Sequence, residues 1–166
     1  MSVALAFMGP TQPLFGQVST NRVAAETDWS VFVDEGPKEC WGVSAPKQSE
    51  NTKNGAPTSV RRGDILLFVT YRPGAAGEVS FTGGYPFAGG SNVNLDIGGA
   101  KFDLITDGEW AWSGSPEEDA KIIGSLKAGV SAVLTARSSR GTQTKDSFSL
   151  LGVSAALDEA AKRCAG

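Results

Sequence analysis

The chain contains no histidine. That absence excludes an imidazole general base, a Ser-His-Asp triad and a Cys-His dyad. It also deprives a catalytic zinc site of its usual ligands, because only two cysteines and scattered carboxylates remain. Charge is scarce too: charged residues make up 20% of the chain, and the formal net charge is −3 at pH 7. Such a weakly acidic protein has no electrostatic reason to bind nucleic acid or an anionic membrane. No stretch approaches the roughly 18 apolar residues of a membrane-spanning helix. The spacing of Cys40 and Cys164 is far too wide for C-x-x-C redox or zinc chemistry. These absences lead us to expect no metal, no cofactor and no catalytic residue set.

What is abundant is glycine, at 21 of 166 residues. With so few charges, this favours short strands and many turns over long surface helices. A single domain of this length can bury most of its apolar surface unaided. The first 26 residues stand apart. They carry a short apolar run over 3–8 and prolines at Pro10 and Pro13, without a basic leading region. Val23-Ala24-Ala25 fits a small-residue cleavage rule but follows Arg22. The stretch 1–26 reads as a degraded signal peptide, a misplaced start or an extension, and the domain is assigned to 27–166.

Within the domain, hydrophobic periodicity defines the elements. Trp29, Val31 and Val33 alternate with Ser30 and Phe32 as a strand would, and a second strand covers 40–43. The polar, proline-containing stretch 45–57 reads as a loop. The near-continuous β-rich run 64–71 reads as a central strand buried on two faces, and Glu78–Thr82 as a further strand. A hairpin joins Asn92–Ile97 to 101–105 about Gly98-Gly99, and Trp110 and Trp112 share one side of a short strand. The most regular pattern flanks 138–150. Val130, Ala132, Leu134 and Ala136 share a face before the Ser-Arg-Gly-Thr turn; Thr144, Asp146, Phe148 and Leu150 share one after it. This predicts a hairpin.

Two helices are readable. Ser115 as N-cap, Pro116 at N1 and Glu118 at N3 form a capping box, and Gly129 stops that helix. The second covers 154–163, with Leu157, Ala160, Ala161 and Cys164 on one stripe. Eight or nine short strands with two short helices make a mainly β protein, an antiparallel β-sandwich. Two readings of the cysteines remain: buried free thiols, or the preferred single long-range disulfide between Cys40 and Cys164. In the chain-entropy model such a bridge contributes roughly 4–5 kcal/mol, and it needs an oxidising compartment.

Several patterns carry residue types found in chemical sites. Ser44 and Lys47 match S-x-x-K, but no S-D-N or K-T-G partner accompanies them. Arg62-Gly63-Asp64 spells R-G-D; the preferred reading is a turn leading into a strand. Tyr85, Phe87, Trp110 and Trp112 could form an aromatic platform, with core packing preferred. Asp96, Asp103 and Asp107 lack calcium-loop spacing. Arg140 could hold an anion or a carboxylate bidentately; the plainer reading pairs it with Asp146 or with backbone carbonyls. The binding candidates are therefore Arg140, Lys145, Tyr85 and Trp112.

From Ser138 to Cys164, the run S-S-R-G-T-Q-T-K-D-S-F-S-L, followed by L-G-V-S-A-A-L and the terminal cysteine, resembles the invasion-associated locus B family of bacterial proteins. Asp28-Trp29, Cys40, Tyr71-Arg72-Pro73, Trp112 and Lys127-Ala128-Gly129 match further upstream. The resemblance implies an immunoglobulin-like β-sandwich exported to the periplasm or cell surface, and its paired cysteines support the disulfide. It brings no enzymatic activity, ligand or catalytic residues. Sequence and resemblance together lead us to expect a non-enzymatic envelope protein that engages another envelope or host protein, as an interaction or adhesion module. The alternative is a periplasmic β-sandwich that binds a small ligand or carbohydrate.

Overall fold

The computed structural model describes residues 21–166. The apolar run and prolines of the proposed leader lie outside the described residues. The strands are β1 (Arg22–Glu26), β2 (Trp29–Glu35), β3 (Lys38–Ser44), β4 (Gln48–Lys53), β5 (Ala56–Pro57), β6 (Leu66–Tyr71), β7 (Glu78–Thr82), β8 (Asn92–Ile97), β9 (Ala100–Asp107), β10 (Trp110–Trp112), β11 (Ser131–Arg137) and β12 (Gln143–Ser149). The helices are α1 (Pro116–Ala128) and α2 (Val153–Arg163).

The protein is mainly β with two helices, as its patterning predicts. Every strand joins one antiparallel sheet, in the order β1-β2-β3-β6-β7-β10-β9-β8-β11-β12-β4-β5, rather than two separately bonded sheets. The sheet folds over so that its halves face one another. Phe81 of β7 meets Phe148 of β12 edge to face, 6.3 Å between ring centroids. The inner faces carry the alternating apolar residues, including Leu67, Val69, Leu95, Leu104 and Leu134, all fully buried. Alternation works because successive side chains of a strand point to opposite faces.

Three strands were not anticipated. Arg22–Glu26, assigned from sequence to the extension, pairs with β2 as β1. The polar stretch read as a loop contains β4 and β5, with β4 pairing Asn51 to Thr144 and Ser49 to Asp146 of β12. These strands sit at the sheet margin, where the side chains stay largely solvent-facing. They therefore carry no hydrophobic period to read. The run ending in β6 is central, between β3 and β7, yet it buries only Leu67 and Val69 on one face. Its other face is an outer surface bearing Phe68, against which Trp110 packs.

Helix α1 closes one end of the folded sheet at the start of β7, and α2 lies along β1, β2, β3 and β6. Ser115 Oγ accepts from Glu118 N at 3.2 Å, while Glu118 Oε2 accepts from Gly114 N at 3.0 Å. The capping box thus closes one residue earlier than the usual reciprocal pair. The first-turn residue Asp119 is buried and accepts from Val79 N at 2.8 Å, which fixes α1 to the start of β7. Leu157, Ala156 and Ala160 of α2 are fully buried, and Leu157 lies over Gly42 of β3. Cys164 bonds Cys40 across 124 residues and ties the end of α2 to the same strand. The disulfide reading is the one realised.

Candidate functional site

The opposite end of the folded sheet is uncapped by helix. There β7 ends at Thr82 and runs into Gly83-Gly84, and β12 begins at Gln143, with the connection from β5 to β6 running between them. A cavity of about 770 Å³ opens at this point. One wall is 59–63, another is Gly84-Tyr85-Pro86 with Glu109, and the third is the turn of the 138–150 hairpin.

Each wall is fixed by its own bonds. Gly63 N donates to Gly84 O at 2.8 Å. The backbones are so close that a Cβ on Gly84, whose φ is +73°, would lie 2.5 Å from Gly63 O. Only glycine fits that approach and that left-handed conformation. The hairpin turn is held by Ser139 N donating to Pro86 O and Ala88 N donating to Arg137 O, each at 2.9 Å. Inside the turn, Ser138 Oγ accepts from Thr142 N at 3.1 Å.

Arg62 forms the floor. Its Nη1 and Nη2 reach the two carboxylate oxygens of Asp146 at 2.7 and 2.6 Å, and its Nε donates to Gly83 O at 2.9 Å. Side-chain exposure is 6% for Arg62 and 0% for Asp146, so this is a buried bidentate ion pair. The guanidinium lies 5.1 Å from the centre of the Tyr85 ring, covering one face of it. The Tyr85 hydroxyl pairs with Thr144 Oγ1. Burial pushes the Tyr85 phenol above its ordinary range; the Thr144 hydrogen bond and the Arg62 charge pull the other way. The buried ions are thus mutually neutralised. The two arginines left over, Arg61 and Arg140, are exposed, line the cavity and have no partner among the described residues.

The structure brings together two of the four binding candidates. Tyr85 lies in the floor and Arg140 on the hairpin wall. Lys145 is exposed on the outward side of β12, between Thr135 and Glu50, and does not line the cavity. Trp112 stacks on Trp110 at 6.3 Å on the outer sheet surface, also outside it. Phe87 is 6% exposed and packs on Phe81, so it offers no platform.

Two expectations are corrected. Asp146 pairs with Arg62, not with Arg140, because the inward side of β12 faces the floor while Arg140 sits on the turn. The R-G-D tripeptide is also more than a turn, since its arginine is the ion that neutralises the core carboxylate. The usable signal was Asp146 itself: alternation places it beside Phe148, and a buried carboxylate demands a cation. Nothing local said which arginine would supply it.

The remaining motifs are structural. Ser44 Oγ donates to Asp28 O at 2.7 Å and Lys47 pairs with Asp28 at 2.5 Å, so the S-x-x-K residues do not face each other. Asp96 accepts from Gly99 N and Asp103 from the Asn94 side chain, as turn and strand polar groups. No cluster of three metal-ligating side chains occurs among the described residues. None of their helices is long and apolar enough to cross a membrane.

No family model matches the chain, and no curated protein matches it. The fold is similar to the crystal structure of invasion associated protein B from Bartonella henselae. The TM-score is 0.56 at 17% identity, over 84% of this chain and 96% of that one. At that identity the likeness is one of fold, and it agrees with the fold family that the hairpin and cysteine pattern resemble.

Proposed function

We propose that this chain is a non-enzymatic, exported envelope protein that acts as an interaction module through the cavity at its uncapped end. The observation that carries the reading is the Cys40–Cys164 disulfide, a bond that persists in oxidising compartments such as the periplasm or cell surface. The fold likeness to an invasion associated protein supports the same setting; adhesion to a host cell is one use such a module could serve. A binding role also suits the cavity's chemistry. Its buried carboxylate is engaged on both oxygens by Arg62 and is not free to act as a base.

Fractionation of cells making the full-length chain tests this. The protein is expected in the periplasm or on the outer face, with both cysteines oxidised. Recovery from the cytoplasm with free thiols overturns the reading.

The second reading, a small-ligand or carbohydrate binder, is favoured by the cavity's size, which falls within the range of about 300–1,000 Å³ usual for ligand sites. A sugar subsite is less well served. The one aromatic ring in the cavity, Tyr85, already has a face covered by Arg62, and the stacked tryptophans lie elsewhere.

A further inference from the structure

We infer that the cavity receives a short acidic peptide segment of a partner protein, held by its carboxylates on Arg61 and Arg140 and by its backbone on 59–62. The inference rests on the reading of this chain as an interaction module and specifies what that module recognises.

Two independent observations lead there. The first is charge. In a chain of net charge −3, three arginines converge on one cavity against one lining carboxylate, Glu109. Asp146 neutralises Arg62 from beneath, so Arg61 and Arg140 remain as uncommitted guanidiniums on facing walls. A planar guanidinium pairs bidentately with a carboxylate. It also keeps its charge at any physiological pH.

The second observation is the backbone of the first wall. Thr58 N donates to Asn51 O, and Gly63 N to Gly84 O. Between these anchors, no backbone N–H or carbonyl of residues 59–62 is hydrogen-bonded within the described residues. Four consecutive residues therefore present free donors and acceptors, with Ser59, Val60 and Arg61 exposed. Backbone groups are obligatory hydrogen-bonding groups, and a peptide is the ligand whose own backbone matches such a row. An acidic saccharide would use the arginines equally well, but it would find the one lining aromatic ring, Tyr85, already covered on one face by Arg62, and it would leave that row to water.

The test uses the full, oxidised chain labelled with nitrogen-15. The probe is an acetylated and amidated peptide, Gly-Glu-Val-Glu-Gly, whose two carboxylates lie on one side of an extended chain. Its glutamine counterpart and an oligogalacturonate are the comparison ligands. The glutamate peptide is expected to shift the amides of 59–62 and the side-chain signals of Arg61 and Arg140. The glutamine peptide, which lacks both carboxylates, should bind about a hundred-fold more weakly. Arg61→Gln and Arg140→Gln should each weaken the glutamate peptide about ten-fold, as expected for hydrogen bonds to a charged group, while Trp110→Ala changes nothing. Both arginines are exposed, so these variants are expected to fold, and an unchanged unfolding midpoint checks it.

Absence of shifts at millimolar peptide overturns the inference, as does affinity unaltered by either arginine substitution. Tighter binding of the oligogalacturonate than of the peptide overturns the ligand class. None of these results touches the envelope location or the oxidised cysteines, so failure here is distinguishable from failure of the proposed function.

Discussion

Arg62→Met removes the four hydrogen bonds that Arg62 makes, two to Asp146 and one each to Gly83 O and Asn51. It also removes the charge that balances Asp146, whose side chain has no exposure. Breaking a buried pair by deleting one partner leaves an uncompensated charge, at a cost of about 3–5 kcal/mol. For a domain of this size that lowers the melting temperature by about 10 °C. Removing the other partner should cost less. In Asp146→Leu the guanidinium keeps Gly83 O, Asn51 and the face of Tyr85, and it borders the open cavity. The double variant should lie above both single variants, close to the wild type, because no buried charge remains in it. Urea denaturation of the four oxidised proteins at pH 7 measures this, with equal m-values required for the comparison. The reasoning is refuted if Arg62→Met costs under about 1 kcal/mol, or if the double variant loses the sum of the single losses.

Reducing the disulfide, or replacing Cys40 and Cys164 together by alanine, should remove about 5 kcal/mol, since the bridge spans 124 residues and the chain-entropy model scales with loop length. A shift in urea midpoint equivalent to less than about 2 kcal/mol would contradict that account. Burial raises the phenols of both Tyr71 and Tyr85, the chain's two tyrosines, above the usual value of 10.0. Ultraviolet titration should therefore show no phenolate forming with a midpoint at or below 10.0 while the protein stays folded. The sign follows from linkage: these raised values favour the protonated phenols of the folded chain, so their contribution is complete below the unfolded value and is lost as pH rises through the folded ones. One tyrosine ionising normally would contradict the packing of its ring. Gly84→Ala places a Cβ against Gly63 O in a left-handed backbone; it should cost about 2 kcal/mol or more. A neutral urea midpoint would show that the two walls are not held that closely.

The elements most legible in the sequence were those with one apolar and one polar face. In the hairpin of β11 and β12, Ala132 pairs with Phe148 and Leu134 with Asp146, and inward residues follow the period of two along both strands; Val130, expected on the same face, precedes β11 and is exposed. The capped helix was legible for a different reason: Ser115, Pro116 and Gly129 act within a few residues of their own backbone. Strands β4 and β5 were not legible, because β4 is held by hydrogen bonds to β12, and β5 by hydrogen bonds to β4, with no hydrophobic period in either. The outer surface of β6 misled in the opposite direction. Phe68 is apolar yet faces outward against Trp110, so a continuous apolar run here does not mean burial on two faces.

Alone, the sequence determined the strand-rich class, both helices, the inward face of the terminal hairpin and the preferred cysteine pair. All of these depend on periodicity, on local capping, or on there being only two cysteines to pair. The cavity was decided by tertiary structure. Its floor joins Arg62 to Asp146, 84 residues apart, and its walls meet only because the sheet folds over and brings the connection after β5 beside the end of β7. Periodicity can say that a carboxylate points inward. Which cation meets it depends on how distant strands are ordered in the sheet, and that ordering is set by the packing of the whole core rather than by any local run of residues.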